Sequence, residues 1–194
     1  MEQINFKQAI ENLADTGFSP MPNTIQISIP DAKDVLWRGI KYFTGDAAKW
    51  RPEYEEIAQW LANNKGRGLL CTGNCGLGKT LICCKIIPLL LHHYHRKIVY
   101  CYGAQQLNVS ADAIISKHIL CIDDVGTECE SVKYGERRRV FAELVDEAEK
   151  KGKLLIITSN LPLEELKKKY GERTIDRLKA ITTKVLFMGE SLRK

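Results

Sequence analysis

One glycine-rich run carries the clearest chemistry in this sequence. The phosphate-loop pattern GxxxxGK[ST] is matched at every fixed position by GNCGLGKT, the residues Gly73, Asn74, Cys75, Gly76, Leu77, Gly78, Lys79 and Thr80. Its glycines let backbone amides approach a β-phosphate, and Lys79 is expected to reach the β- and γ-phosphates. Thr80 is expected to bind Mg²⁺ through its hydroxyl, and Leu81 completes the predicted nucleotide contacts. The run predicts a site for ATP and Mg²⁺.

Two consecutive acids follow an apolar stretch further along the chain. Residues 119–122 are Ile-Leu-Cys-Ile, and Asp123 and Asp124 come directly after them. In a protein with a complete phosphate loop, Asp123 is expected to hold magnesium and Asp124 to polarise an attacking water. A turn or a helix cap is the alternative interpretation of an apolar strand that ends in aspartate.

A third apolar run also ends in polar side chains. Residues 154–158 lead into Ser159 and Asn160. Because ligands gather at the carboxyl ends of parallel strands, Thr158 and Asn160 could lie beside Asp123 and Lys79, where an amide can sense a γ-phosphate. Asn160 could instead cap the helix that follows it.

Two arginines stand four residues apart in the segment GERTIDRL. Arg173 and Arg177 share one face of a predicted helix. A surface ion-pair network is one interpretation, and an arginine finger that reaches ATP on a neighbouring subunit is the other. Arg193, near the end of the sequence, is a further candidate of this kind.

The chemistry-bearing residues require a sheet that brings strand ends together. Five apolar runs are predicted as strands, at residues 68–72, 98–102, 118–122, 154–158 and 183–188. The segments between them are predicted as helices, at residues 79–96, 104–115, 134–151 and 163–180, with a kink or a local break after Ile87 caused by Pro88. Three more helices are predicted upstream, at residues 6–13, 31–43 and 53–64. This alternation predicts an α/β protein of three layers with a parallel sheet.

Composition narrows the class of protein. Hydrophobic residues at 44% and charged residues at 27%, without a long apolar run, predict a soluble protein, and the start of the sequence lacks the apolar core of a secretory signal. Seven cysteines suit a reducing cytoplasm better than a disulfide framework, and the spacing of Cys71, Cys75, Cys83 and Cys84 fits no zinc pattern.

Charge is uneven along the chain. From Arg67 onward there are 22 Lys and Arg against 15 Asp and Glu, which is compatible with a phosphate-bearing partner. The runs Arg137 to Arg139 and Lys167 to Lys169 could contact DNA phosphates, or they could be solvated helix faces.

The order of GNCGLGKT, ILCIDDVGTE, IITSN and GERTIDRL resembles the AAA+ ATPases of the DnaC/DnaI/IstB helicase-loader group from about Glu53 onward. The resemblance implies a P-loop fold with the sheet order 5-1-4-3-2, after a small helical segment. It implies that Asp123 and Asp124 form the Walker B pair and that Asn160 is sensor 1. By the same likeness Arg177 is the arginine finger, Arg193 the second sensor, and Arg173 a supporting residue.

The same resemblance implies a biological setting. It implies ATP-bridged oligomers that act on single-stranded DNA and serve a replicative helicase or a transposase. Residues 53–194 are then the ATPase domain, and residues 1–52 a segment that could bind the partner. Two other functions stay open, namely a nucleotide-switch adaptor with little turnover and a small-molecule P-loop kinase. The segment 103–117 is shorter than the helical insertion that loaders carry there.

Overall fold

The computed structural model describes residues 4–14, 16, 22–128, 131–133 and 136–192. Its strands are β1 (Gly68–Gly73), β2 (Tyr100–Gly103), β3 (Ile119–Asp123), β4 (Ser131–Lys133), β5 (Glu136–Arg138), β6 (Leu154–Ser159) and β7 (Thr182–Phe187). Its α-helices are α1 (Phe6–Ala14), α2 (Ala32–Thr44), α3 (Pro52–Ala62), α4 (Lys79–Leu81), α5 (Ile87–His95), α6 (Ala111–Ile115), α7 (Val140–Lys151), α8 (Leu163–Tyr170) and α9 (Glu172–Ile181). Short 3₁₀ helices cover Gly45–Ala47 and Ala104–Asn108.

Five of the strands form one parallel sheet in the order β2-β3-β6-β1-β7. Numbered among themselves along the chain, they run 2-3-4-1-5, which is the predicted order 5-1-4-3-2 counted from the other edge. The predicted α/β fold of the AAA+ P-loop type is therefore confirmed. Because β6 lies between β1 and β3, the carboxyl ends of the three strands that carry the candidate site are neighbours.

Helices cover both faces of this sheet. Alternate residues of a strand point to opposite faces, so Leu69 and Cys71 enter one hydrophobic cluster and Leu70 enters the other. The first cluster packs against α2, α3 and the helical stretch that follows the phosphate loop. The second packs against α6, α7, α8 and α9. The sheet and the helices on its two faces form the three layers that the sequence predicts.

Part of the N-terminal segment belongs to the packed body. Ile27 and Ile29 are almost completely buried in the same cluster as β1. The amide of Ile27 donates to Oδ1 of Asn64 at 2.8 Å, and the amide of Ile29 donates to the carbonyl of Leu61 at 2.9 Å. Residues on both sides of the predicted boundary at residue 52 therefore share one core. A partner-binding role for this segment stays a prediction.

The helix after the phosphate loop differs from the predicted one near Pro88. The irregularity is a π-helical segment at Ile82–Ile86, ahead of the proline, and α5 continues from Ile87 to His95 without a break. Proline has no N–H to donate to the carbonyl four residues before it, and its ring would collide with that carbonyl. The wider π turn moves the Cys84 carbonyl aside, where it accepts a hydrogen bond from the thiol of Cys101 at 3.7 Å.

Two other predicted helices are shorter than expected. The helix predicted at 134–151 begins at Val140, and residues 136–138 instead pair with β4 as an antiparallel ribbon. Glycine at 135 has low helix propensity, a local signal against the longer helix. The helix predicted at 163–180 is divided into α8 and α9 at Gly171, whose φ of 88° does not fit a right-handed helix.

In the part of the chain that the structure describes, no helix combines the length and the apolar composition that crossing a bilayer requires.

Candidate nucleotide site

The phosphate loop joins the end of β1 to the start of α4, as its pattern predicts. Its glycines are needed for conformation and for space. Gly73 has φ of 119°, and a Cβ there would lie 2.0 Å from the carbonyl oxygen of Phe187. Gly76 has φ of 76°, and a Cβ there would lie 2.1 Å from Oγ of Ser191. Only glycine fits at these two positions, because a side chain there would collide with Phe187 or Ser191.

Lys79 lies at the base of the loop with only 5% of its surface exposed. Its Nζ donates to the carbonyl oxygens of Gly73 at 2.8 Å and Asn74 at 2.6 Å. Burial lowers the pKa of the Lys79 ammonium, while nearby groups including Asp124 oppose that change. A buried cation inside a loop of backbone amides is a matched arrangement for a polyphosphate.

Three oxygens meet where β1, β3 and β6 end. The Thr80 hydroxyl donates to Oδ1 of Asp123 at 3.0 Å, and the Thr158 hydroxyl donates to the same oxygen at 2.6 Å. The Thr158 hydroxyl also accepts from the backbone amide of Asp124 at 2.9 Å. Thr158, which is fully buried, therefore fixes both acidic residues at once.

Asp124 has an unusual backbone conformation next to this group. Its φ of 59° places it in the left-handed region, which costs a non-glycine residue about 1–2 kcal/mol. Its Oδ1 accepts from Nδ2 of Asn160 at 2.5 Å. The next helix, α8, has Pro162 at its N-cap and no side-chain cap, so Asn160 contacts Asp124 rather than capping that helix. Of the two residues predicted to lie beside Asp123 and Lys79, Thr158 thus bonds to Asp123 and Asn160 bonds to the neighbouring acid, Asp124.

The loop after Asp124 is held by α8. Nζ of Lys169 donates to the carbonyls of Gly126 and Glu128, both at 2.7 Å, and the Tyr170 hydroxyl donates to the buried carboxylate of Glu128. Lys167 pairs with Glu172 on α9. Two lysines of the run 167–169 thus have partners within the chain.

The segment after β7 is bonded to the phosphate loop. Nδ2 of Asn74 donates to the carbonyl of Gly189 at 2.9 Å, and the amide of Leu192 donates to the carbonyl of Gly76 at 3.0 Å. On the other side, Arg51 donates to the carbonyl of Met188 at 2.5 Å. Arg193 lies outside the described residues, so its predicted sensor role stays a prediction.

A cavity of about 450 Å³ opens beside the phosphate loop. Its wall includes Lys79, Thr80, Asp124 and Asn160. It also includes residues that sequence reasoning did not assign to the site, namely Ile40, Thr44, Ala47, Ala48, Lys49, Tyr54 and Leu192. A larger cavity, about 640 Å³, lies between α2 and α3 and has no phosphate-loop residue in its wall.

Tyr54 is the clearest of the residues missed from sequence. Its hydroxyl donates to the carbonyl of Leu77 at 3.0 Å, so α3 is bonded to the phosphate loop. Burial raises the pKa of Tyr54, which keeps the hydroxyl protonated as a donor. A tyrosine in a helix upstream of the loop has no sequence pattern that would have marked it.

The predicted finger, Arg177, lies away from this cavity and has partners in its own chain. Its guanidinium pairs with Asp146 and, at 3.1 Å, with Glu149, both on α7. The hydrogen bond from Arg177 holds the pKa of Asp146 below its ordinary value. The ion-pair interpretation therefore describes the contacts within one chain, and a role on a neighbouring subunit stays a prediction.

The residues present fit ATP and Mg²⁺. The phosphate loop has positive φ at Gly73, Gly76 and Gly78, as a loop of backbone amides around a phosphate requires, and it has a buried ammonium at its base. Thr80 and Asp123 offer the oxygen ligands that Mg²⁺ prefers, 3.0 Å apart. The cavity is within the size range of small-molecule and cofactor sites.

Comparison with known proteins identifies the fold. No protein-family model matches the chain, and no curated protein does. Among solved structures, the DnaC helicase loader superposes with a TM-score of 0.55 at 16% identity, over 83% of this chain and 93% of that one. DnaI gives 0.54 at 20% identity, over 80% and 81% of the two chains.

A candidate primosome component from Streptococcus pyogenes serotype M3 gives 0.53 at 14% identity, over 83% and 80%. These likenesses bear out the resemblance to the helicase-loader group at the level of the fold.

Proposed function

We propose that this chain binds ATP with Mg²⁺ and hydrolyses it as an AAA+ protein of the helicase-loader type, in DNA replication or in mobile-element DNA processing. One observation carries the proposal. The Thr80 and Thr158 hydroxyls converge on Oδ1 of Asp123, while Asn160 contacts Asp124 beside them. Together with the phosphate loop, this arrangement supports a hydrolytic nucleotide site better than a simple anion cradle.

Each residue has a role in this proposal. Lys79 exchanges its bonds to the loop carbonyls for bonds to the β- and γ-phosphates. Thr80 and Asp123 hold Mg²⁺, which when bound neutralises charge on the phosphate oxygens. Asp124 orients the attacking water, and Asn160 orients Asp124 and contacts the γ-phosphate. The fold of DnaC and DnaI supports the assignment without extending to their activities.

Turnover and binding assays on two variants test the core of the proposal. Lys79→Ala should abolish ATP binding, whereas the matched control Lys85→Ala, exposed on the helix after the loop, should retain it. Asp124→Asn should bind ATP and lose turnover by about 10²–10⁴-fold. Unchanged turnover in Asp124→Asn would exclude the assigned chemistry.

We further propose that ATP bridges subunits and that Arg177 completes the site of a neighbour. Its absence from the cavity wall of its own chain is consistent with action in trans. The test mixes subunits that are Asp124→Asn with subunits that are Arg177→Ala. Each alone should be inactive, and the mixture should recover turnover because intact fingers then face intact sites. Lys179→Ala, exposed on the same helix, is the control. If the mixture stays inactive, Arg177 does not act across subunits.

A nucleotide-switch adaptor is the second candidate, and the ion pairs of Arg177 favour it. A guanidinium held by Asp146 and Glu149 must leave two carboxylates before it can reach another subunit. The double variant Asp146→Asn and Glu149→Gln releases it. Faster turnover in this variant supports the ATPase, and unchanged slow turnover with strong ATP-dependent partner capture supports the switch.

The partners follow from the same proposal. We propose a replicative helicase or a transposase as the protein partner and single-stranded DNA as a further ligand. Anisotropy of a labelled oligonucleotide measured between about 50 and 200 mM salt tests the second point, because phosphate contacts release counterions. Affinity that does not change with salt would exclude them.

A further inference from the structure

Five of the six described cysteines gather under the candidate nucleotide site, all as free thiols. The sulfurs of Cys84 and Cys121 lie 3.4 Å apart, and those of Cys83 and Cys71 lie 3.6 Å apart. Cys101 and Cys121 are paired residues on the neighbouring strands β2 and β3. Among the described residues, no set of three or more histidines, cysteines and acids is arranged to bind a metal ion. The contacts form a chain of sulfurs from the edge of the sheet to its interior.

Two features of the fold bring these sulfurs together. The π-helical segment Ile82–Ile86 lets two successive residues, Cys83 and Cys84, both contact sulfurs of the sheet. Cys101 and Cys121 are directly opposite each other in the parallel pairing of β2 with β3. Because β2 is the edge strand, the chain of sulfurs reaches the surface at Cys101.

Cys101 has the properties of the thiol attacked first. It is exposed, whereas Cys71, Cys83 and Cys121 are completely buried. The neighbouring Cys121 thiol lowers the pKa of the Cys101 thiol, although burial acts in the opposite direction. Accessible thiolates are the cysteines that peroxides oxidise.

We propose that Cys101, Cys121 and Cys84 form a peroxide-responsive thiol site that closes a disulfide between Cys84 and Cys121. Cys101 receives the oxidant, Cys121 resolves it, and Cys84 is the final partner. The pair Cys71 and Cys83 has a similar separation but no described contact with an exposed thiol, so it stays reduced and serves as an internal control.

The chemistry balances in three steps. The Cys101 thiolate attacks one oxygen of hydrogen peroxide, the O–O bond breaks, and hydroxide leaves as a sulfenic acid forms. The Cys121 sulfur attacks the sulfenic sulfur, and the hydroxyl leaves with the Cys121 proton as water. The Cys84 sulfur then attacks the Cys121 sulfur, and Cys101 departs and takes up the Cys84 proton. Two thiols and one peroxide thus give one disulfide and two waters.

Formation of the disulfide between Cys84 and Cys121 would distort the nucleotide site. A disulfide requires about 2.05 Å between sulfurs, so the 3.4 Å gap must shorten and draw the helix after the phosphate loop toward β3. Thr80 lies four residues before Cys84, and Asp123 lies two residues after Cys121. Oxidation should therefore weaken Mg²⁺-nucleotide binding by about 10-fold or more. This consequence rests on the proposed function, whereas the disulfide itself does not.

Non-reducing peptide mass spectrometry after peroxide treatment tests the disulfide. Trypsin places Cys84 in peptide 80–85, Cys101 in peptide 98–117 and Cys121 in peptide 118–133, which also holds Cys129. In a Cys129→Ser background, peroxide should link peptides 80–85 and 118–133. The link should vanish in Cys84→Ala, persist in Cys83→Ala, and form about 10-fold more slowly in Cys101→Ala.

Three outcomes would contradict the proposed disulfide. A missing link between 80–85 and 118–133, equal rates with and without Cys101, or a dominant link between peptides 68–79 and 80–85 would each overturn it. Nucleotide binding is followed in a Cys75→Ser background, because Cys75 is exposed in the phosphate loop and its oxidation would also block binding. If the reduced protein binds no nucleotide, the proposed function fails while the disulfide result stands.

Discussion

Replacing Thr158 by valine isolates one hydroxyl that holds both candidate acids. Valine keeps the shape of the fully buried side chain and removes its O–H. The change leaves the Asp124 amide without its acceptor, which costs about 1–3 kcal/mol when no water can enter. It also removes a hydrogen bond to the Asp123 carboxylate, worth about 1.5–3 kcal/mol before the carboxylate finds other partners.

Because Asp123 keeps its bond from Thr80, part of the second loss is recovered. We therefore expect Thr158→Val to lower the free energy of unfolding by about 2–4 kcal/mol. For a chain of this size, that loss corresponds to a fall in Tm of about 4–16 °C. Denaturant unfolding followed by the fluorescence of the three tryptophans measures it directly.

Two variants make the result interpretable. Thr182→Val removes a similarly buried hydroxyl that donates a hydrogen bond to the carbonyl of Leu178, and it should cost about 1 kcal/mol or less. Thr158→Ser keeps the hydroxyl and should recover most of the stability and the turnover. The reasoning is refuted if Thr158→Val is no more destabilising than Thr182→Val, or if Thr158→Ser is as damaging as Thr158→Val.

Three further predictions concern the same site. Asn160→Ala should lower ATP turnover by about 10–100-fold and ATP affinity by a smaller factor, because it frees the Asp124 carboxylate and removes one proposed contact with the γ-phosphate; a loss of affinity as large as the loss of turnover would contradict this. Burial lowers the pKa of Lys79, so the ammonium should deprotonate as the pH is raised toward 10.5, and ATP affinity measured by titration should fall before that pH is reached. Lys79→Arg should show no such fall, because arginine keeps its charge. Gly76→Ala should weaken ATP binding by at least about 10-fold and release the segment that carries Ser191, detectable as faster amide exchange there; unchanged exchange would show that the two are not coupled.

Local sequence patterns were sufficient for the parts of the site that are local in the chain. The phosphate loop has fixed spacing, and the acids at 123 and 124 follow directly from an apolar strand, so their positions could be predicted. The alternation of strands and helices predicted the parallel sheet. Its strand order came from the family resemblance, since periodicity does not determine which strands are neighbours.

The contacts that were missed join distant parts of the chain. Asn74 bonds to Gly189 across 115 residues, and Tyr54 bonds to Leu77 across 23. No spacing rule links such pairs, because the fold brings them together. The pairing of Arg177 with α7 was missed for the same reason, since its acidic neighbours in sequence suggested partners on its own helix.

The left-handed backbone at Asp124 sets stability against chemistry at a single position. A screen that rewarded thermal stability alone would favour glycine there, because glycine adopts a φ of 59° without the steric penalty of a Cβ. Such a variant would relieve the backbone strain and lose the carboxylate that Asn160 contacts. Directed-evolution or consensus redesign of this chain should therefore hold position 124 fixed, and improved melting temperature at that site would be a warning of lost activity.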